Sequence, residues 1–159
     1  MNKTKLFLIV LFAMPFIMTA KGQDLDAVFK KYSKSDDVET VSINKMMLSL
    51  AGMFAEKEDK NVISKIDGIK VITLNSAEKT VGKDLMNDIK KVVDKGNYES
   101  LVEVRDKGKR VNIYYSQKEK GKADLLIVTS ESDELNVVWI TGKLTKEELE
   151  EYQKLSKIN

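Results

Sequence analysis

Along this chain the apolar positions recur first with a helical period and later with the two-residue period of strands. Leu25, Val28, Phe29 and Tyr32 form one stripe behind a capping Asp24 and predict a helix. Ser33 to Asp37 is a polar break, and the alternation from Val38 to Ile43 predicts a short strand. Asn44 opens a second helix, in which Met47, Leu50, Ala51 and Phe54 repeat at helical spacing and mark the expected core side. Glu56 to Asn61 is charged and predicts a surface loop. Ile69 to Leu74, entered through an Asp67-Gly68 turn signal, predicts a strand. Ser76 stands where it can cap the longest helix, which carries Val81, Leu85, Ile89, Val92 and Val93 and stops at Gly96. Strands alternating with helices imply crossover connections and some parallel pairing here.

After Gly96 the period changes. Tyr98 to Arg105, Arg110 to Ser116, Ala123 to Ser130 and Leu135 to Thr141 are four strand-like runs separated by short polar breaks. Breaks that short predict hairpins and an antiparallel meander. The first two runs alternate. The last two do not: Leu125-Leu126-Ile127-Val128 and Val137-Val138-Trp139-Ile140 are apolar on both faces. Such strands are covered on both sides or form a binding surface. Thr145 and Glu148 have the spacing of a capping box for a last helix, whose Leu144, Leu149, Tyr152 and Leu155 would pack back on the sheet. There is no internal repeat. The expected fold is α+β: one mostly antiparallel sheet of up to six strands, with a C-terminal four-strand meander and helices mainly on one face.

The N-terminus has a different logic. Lys3 and Lys5 precede thirteen almost wholly apolar residues, Leu6 to Met18, fewer than the roughly 20 that a membrane-spanning helix needs. Pro15 and the small residues of Ala20-Lys21-Gly22 complete the order of a secretory signal, with cleavage expected after Gly22 to leave Gln23 first. Residues 1–22 are then a cleaved signal peptide and residues 23–159 a single exported domain, periplasmic or secreted, without a transmembrane anchor. No cysteine follows the apolar core, so lipoprotein processing is not expected.

Composition narrows the chemistry. The chain has no cysteine and no histidine. Disulfides, thiolate nucleophiles, a Ser-His-Asp triad and His- or Cys-ligated metals are thereby excluded, and no cofactor or metal is expected. Of 27 basic residues, Lys3, Lys5 and Lys21 leave with the signal, so 24 bases face 25 acids in the remainder. That balance argues against nucleic acid as a partner.

The stretches Asp24-Leu25-Asp26-Ala27-Val28-Phe29-Lys30-Lys31-Tyr32-Ser33, Val41-Ser42-Ile43-Asn44-Lys45-Met46-Met47, Ser64-Lys65-Ile66-Asp67-Gly68-Ile69-Lys70-Val71 and Ile140-Thr141-Gly142-Lys143-Leu144-Thr145 occur in the order seen in a known family. In them the chain resembles a Bacteroidota exported-protein family catalogued as domain of unknown function 4252. The resemblance implies export from a Gram-negative cell and one small domain. It carries over no catalytic residue.

Several groups carry candidate chemistry. Trp139 and Tyr114 would make a platform for sugar or peptide if they shared an uncovered face, and are core otherwise. Lys107, Lys109 and Arg110, with Lys118, Lys120 and Lys122, would form a basic edge toward lipid head groups or an acidic partner; the plainer reading is lysine-rich turns that keep a sheet soluble. Met46, Met47 and Met53 would line an adaptable groove, against a default of core packing. Glu131, Asp133 and Glu134 lack the spacing of a calcium loop. Glu147, Glu148, Glu150 and Glu151 would supply carboxylates for glycan hydrolysis only if two faced one cleft. The expectation is a non-enzymatic binding or accessory module of the envelope whose partner is an envelope protein or another envelope component. A carboxylate-based hydrolase of periplasmic glycan is the alternative.

Overall fold

The computed structural model describes residues 24–156, apart from residues 76 and 78 and the side chains of residues 58 and 152–156. The expected signal segment with its Gly22–Gln23 cleavage site, the Ser76 cap and the packing of Tyr152 and Leu155 lie outside the described residues.

The first helix, α1, runs Leu25–Tyr32, with Asp24 accepting from the Ala27 N–H at 2.9 Å. It is followed by β1 (Glu39–Asn44), α2 (Lys45–Phe54), α3 (Lys57–Lys65) and β2 (Ile66–Leu74). Next come α4 (Thr80–Lys95), β3 (Glu99–Asp106), β4 (Lys109–Gln117), β5 (Ala123–Glu131), β6 (Glu134–Gly142) and α5 (Lys146–Ser156). The strands form one sheet in the order β1-β2-β6-β5-β4-β3, and every neighbouring pair is antiparallel.

The early part of the chain departs from the expected parallel pairing. Two helices, not one, join β1 to β2, so the chain returns beside β1 in the opposite sense. The second of them, α3, occupies the segment expected to be a loop. Its sequence offers only Val62 and Ile63 to a core. It is held by α2, where Gly52 lies against Ile63. The crossover does occur, through α4, which carries the chain from β2 to β3 at the far edge. These two strands run the same way but do not pair. Asp67-Gly68 is also not a turn. It lies inside β2 at a register shift, where Gly68 would bring a Cβ to 3.4 Å from the Ile43 carbonyl oxygen.

The meander forms as expected. Its β3–β4 hairpin turns on Lys107 and Gly108, both at positive φ (44° and 88°), the conformation that a two-residue loop requires. The capping box also closes. The Glu148 N–H donates to Thr145 Oγ1 at 3.3 Å and the Thr145 N–H to Glu148 at 3.2 Å.

One face of the sheet meets α1 and α4. Ile72 and Leu74 of β2, Leu126 and Val128 of β5, and Leu135 and Val137 of β6 pack there with Val28, Phe29, Leu85, Ile89 and Val92. Each such side chain contributes about 1.5–3 kcal/mol through burial. The two helices are tied together by a buried acid. Asp88 of α4 accepts from Lys31 Nζ at 2.6 Å and from the Tyr32 hydroxyl at 2.9 Å, with Lys91 Nζ at 3.5 Å. Burial pushes the Asp88 carboxyl upward, but the Lys31 and Tyr32 hydrogen bonds outweigh it and hold the group below the usual carboxylate range. Burial and the same carboxylate push the Tyr32 phenol up to about 12.

Two outcomes follow from this core. Leu126, fully buried, should cost about 2–5 kcal/mol as Leu126→Ala, read as a lower urea midpoint. A carboxyl with a depressed folded pKa stabilises the fold above its unfolded value of about 3.9 and loses that contribution as pH falls through its folded value. Asp88→Asn should therefore lower stability by about 1–2 kcal/mol at pH 7, the partly exposed Lys31 limiting the loss. Denaturation curves of the two proteins should converge below about pH 4.

Candidate functional site: an open apolar surface

Register places the sequence candidates directly. Tyr114 pairs with Leu126, Leu126 with Trp139 and Trp139 with Lys70, so all four side chains share the face that α1 and α4 cover. Trp139 and Tyr114 are thus on one face, but that face is not free. Phe29 leans on the indole with ring centroids 5.6 Å apart, and Lys70 Nζ sits 4.9 Å from its centre while bonding Asp26 at 2.6 Å. The platform expected for sugar or peptide is occupied by the protein itself.

The lysines do not form one basic edge. Lys107, Lys109 and Arg110 lie at one end of β4, and Lys118, Lys120 and Lys122 lie beyond its other end. Nine strand residues separate the groups by about 25–30 Å. Much of their charge is locally engaged. Lys109 pairs with Glu131 at 3.5 Å, Lys118 with Asp124 at 3.4 Å and Lys122 with Asp67 at 3.2 Å. Lys107, Arg110 and Lys120 are exposed.

Of the candidate acids, Asp133, Glu147, Glu150 and Glu151 are exposed, and the other three have partners, Glu131 through Lys109. Glu148 pairs with Lys65 and closes its cap, which holds its carboxyl below the usual range. Glu134 accepts from the Asn136 amide at 2.6 Å.

The sheet's other face is different. Val41, Val71, Val138, Ile127, Ile113 and Val102 are successive register partners and form one apolar row across all six strands. Among the described residues it is covered from one side, where Ile113 and Ile127 of the row join a buried cluster. Leu144 and Leu149, from the β6–α5 junction, pack over Tyr115, Ala123 and Leu125. The Tyr115 hydroxyl fixes that junction by donating to the Leu144 carbonyl at 3.1 Å. Five members of the row stay half-buried and Val41 is 54% exposed, whereas the neighbouring Val137 is fully buried on the helix side.

A second apolar surface lies on α2. The stripe expected to be its core side points outward: Met47 is 51% exposed, Leu50 56% and Phe54 90%. The residue facing inward is Leu48. Helical periodicity locates a stripe but not what it faces, and the anchor in this helix is one leucine.

A model described as a domain of unknown function (DUF4252) matches residues 32–152. The chain belongs to that family. No curated protein and no solved structure gives a significant match. The DUF4252 match takes in the whole sheet, its open row, α2 and α4, and leaves most of α1 outside.

One cleft of this DUF4252 domain lies where the start of α1 approaches the end of α4. It is about 420 Å³, and its walls include Asp24, Tyr98, Lys118, Asp124 and Trp139. Tyr98 donates to Asp124 at 2.9 Å and lies under Lys118. Burial, followed by the Asp124 charge, pushes its phenol far up. The polar groups of this cleft mostly satisfy one another. The exception is the enclosed Trp139 indole N–H, which meets no acceptor among the described residues. Trp139→Phe gives up no hydrogen bond but replaces the indole with a smaller ring, a large-to-small change beside Phe29. It should cost about 1–3 kcal/mol, measured as a lower midpoint in a circular dichroism melt.

Proposed function

We propose that this DUF4252 protein is an exported, non-enzymatic binding module of the cell envelope that docks a partner protein through the open face of its sheet. The observation that carries the reading is the row from Val41 to Val102. These strands are apolar on both faces; α1 and α4 cover one, and on the other the described residues of the β6–α5 junction pack over Tyr115 and Leu125, leaving Val41 exposed and the rest of the row half-buried. An uncovered apolar face of this width is costly in water and marks an interaction surface. Lys107 beyond one end of β4 and Lys120 beyond the other are exposed and stand as separate polar rims, whereas Arg110 shares the helix-side face with Tyr114.

The export half of the proposal rests on Lys3, Lys5, the apolar run Leu6–Met18 and the Ala20-Lys21-Gly22 site before Gln23. Without cysteine there is no lipid attachment, and among the described residues no helix is long and apolar enough to cross a membrane. An accessory or regulatory role in the envelope fits a small exported domain of this kind. No observation favours the glycan-hydrolase alternative: Glu131, Glu134 and Glu148 are bound to neighbours, and Asp133, Glu147, Glu150 and Glu151 are exposed.

A photo-crosslinking residue at Val138, introduced into the full-length gene and activated in intact cells, tests this. The expected result is one dominant protein adduct, absent when the same residue replaces Lys90 on the solvent side of α4. Ile127→Lys should abolish the adduct while leaving the far-ultraviolet circular dichroism spectrum unchanged. Equal labelling from Val138 and Lys90 would end the sheet-face reading. A mature N-terminus other than Gln23 or its immediate neighbour, found by mass spectrometry of the cellular protein, would end the export reading.

A further inference from the structure

Of the eight large apolar side chains that stand exposed among the described residues, five belong to α2: Met46, Met47, Leu50, Met53 and Phe54. At 3.6 residues per turn these five fall within an arc of roughly 120°. The helix is amphipathic with its apolar stripe turned to the outside. It is not poised to roll over, because Leu48 is buried, Gly52 abuts Ile63 and Asn44 caps the helix by accepting from the Met47 N–H at 3.0 Å. Lys45 adds a further tether. Its ammonium donates to the Ser64 and Ile66 carbonyls at 2.6 and 2.9 Å and lies 3.6 Å from Asp67.

We infer that α2 is a dimerisation helix, on which a second copy of this chain lays its own α2, antiparallel, across a twofold axis near Leu50. This surface is separate from the sheet face proposed above to dock a partner.

Three features select a second copy as the occupant. The first is charge. In a chain that is 33% charged, residues 40–55 contain one ionisable side chain, Lys45, and it is turned to the base of β2. Interfaces with a different protein typically use complementary charge for selection, whereas homodimer interfaces are the more apolar class. A stripe with no charge repels no copy of itself.

The second feature is area. At the exposures observed, the five side chains present on the order of 600 Å², most of the roughly 800 Å² that each partner of a standard interface contributes. The third is shape. An isologous contact needs a patch complementary to itself, and three methionines flanking one leucine can adapt to their own image. An anionic membrane would instead call for a basic border. The residues after the stripe, Glu56, Lys57, Glu58, Asp59 and Lys60, carry three acids against two bases.

The absence of cysteine makes the test direct. The chain from Gln23 onward, which contains the whole described fold, is examined by sedimentation velocity from low to high micromolar concentration. The expected result is a concentration-dependent dimer that becomes a monomer in Leu50→Asp and in Met53→Lys, each with an unchanged circular dichroism spectrum. Val104→Asp, at an exposed apolar position on β3, should stay dimeric. Leu50→Cys supplies the only thiol and should form a disulfide-linked dimer on mild oxidation. Val104→Cys should not.

A monomer at every concentration would overturn the inference. So would a dimer indifferent to Leu50→Asp and Met53→Lys, or one cross-linked through Val104→Cys and not Leu50→Cys. Flotation of a monomer with phosphatidylcholine vesicles, lost in Leu50→Asp, would overturn it in favour of lipid. Val138 is on β6 and Leu50 on α2, and the two tests read different outcomes, so failure here leaves the photo-crosslinking result standing, and the reverse holds.

Discussion

The fold depends on the seal that α1 and α4 make over one face of the sheet. Antiparallel strands fix only which residues share a side. The fully buried Ile72, Leu74, Leu126, Leu135 and Val137 become a core because two helices close over them. Those helices come from opposite parts of the connection. The chain reaches α1 before any strand exists, and α4 is the long crossover from β2 to the far edge. They are held to each other by Asp88, whose carboxylate collects Lys31 and Tyr32 from α1. A buried carboxylate without these donors would carry a large desolvation cost. The same interaction therefore selects the relative placement of the helices and makes it sensitive to acid.

The opposite face shows what the seal leaves over. Val137 and Val138 are neighbours in one strand, one without solvent contact and the other half-buried. Their difference lies in what is stacked above them, not in the residue. On that face the described part of α5 packs through Leu149 on the cluster of Tyr115 and Leu125, which Ile113, Ile127 and Ile140 join. A chain shaped only for solubility would place threonine, lysine and glutamate along the remainder, as antiparallel sheets with one wet face do. The row from Val41 to Val102 instead keeps β-branched apolar residues in all six strands.

Legibility in the sequence followed the range of the interactions. The meander, its turns and the capping box at Thr145 and Glu148 rest on contacts within a few residues or between adjacent strands, and local pattern reports such contacts. The direction of β1 against β2 was not legible, because it depends on α3. That helix is polar and capped without a side-chain hydrogen bond, and it is held mainly by its neighbour α2. The stripe on α2 was visible as a period and misread in its orientation, since periodicity carries no information about which side meets protein. For the candidate site, the two-faced strands were the useful signal. The lysine turns were misleading because sequence proximity across a hairpin hides the full length of β4 between them. Whether Trp139 and Tyr114 share a face was left open by the sequence; they do, and the covering of that face by Phe29 and Lys70 is a tertiary fact with no local trace.

Charge distribution connects these surfaces to a single mode of action. With acids and bases nearly equal beyond the expected signal, the domain has little long-range field to steer a charged ligand. Its lysines and acids pair locally, as Lys109 does with Glu131 and Lys122 with Asp67. The chain also lacks histidine and cysteine. What remains unspent is apolar surface, on the open sheet face and on α2. Apolar surface supplies affinity without chemistry, and it does so best against another folded protein whose shape can exclude water. In the reading proposed above, the sheet face and α2 are the two points of attachment.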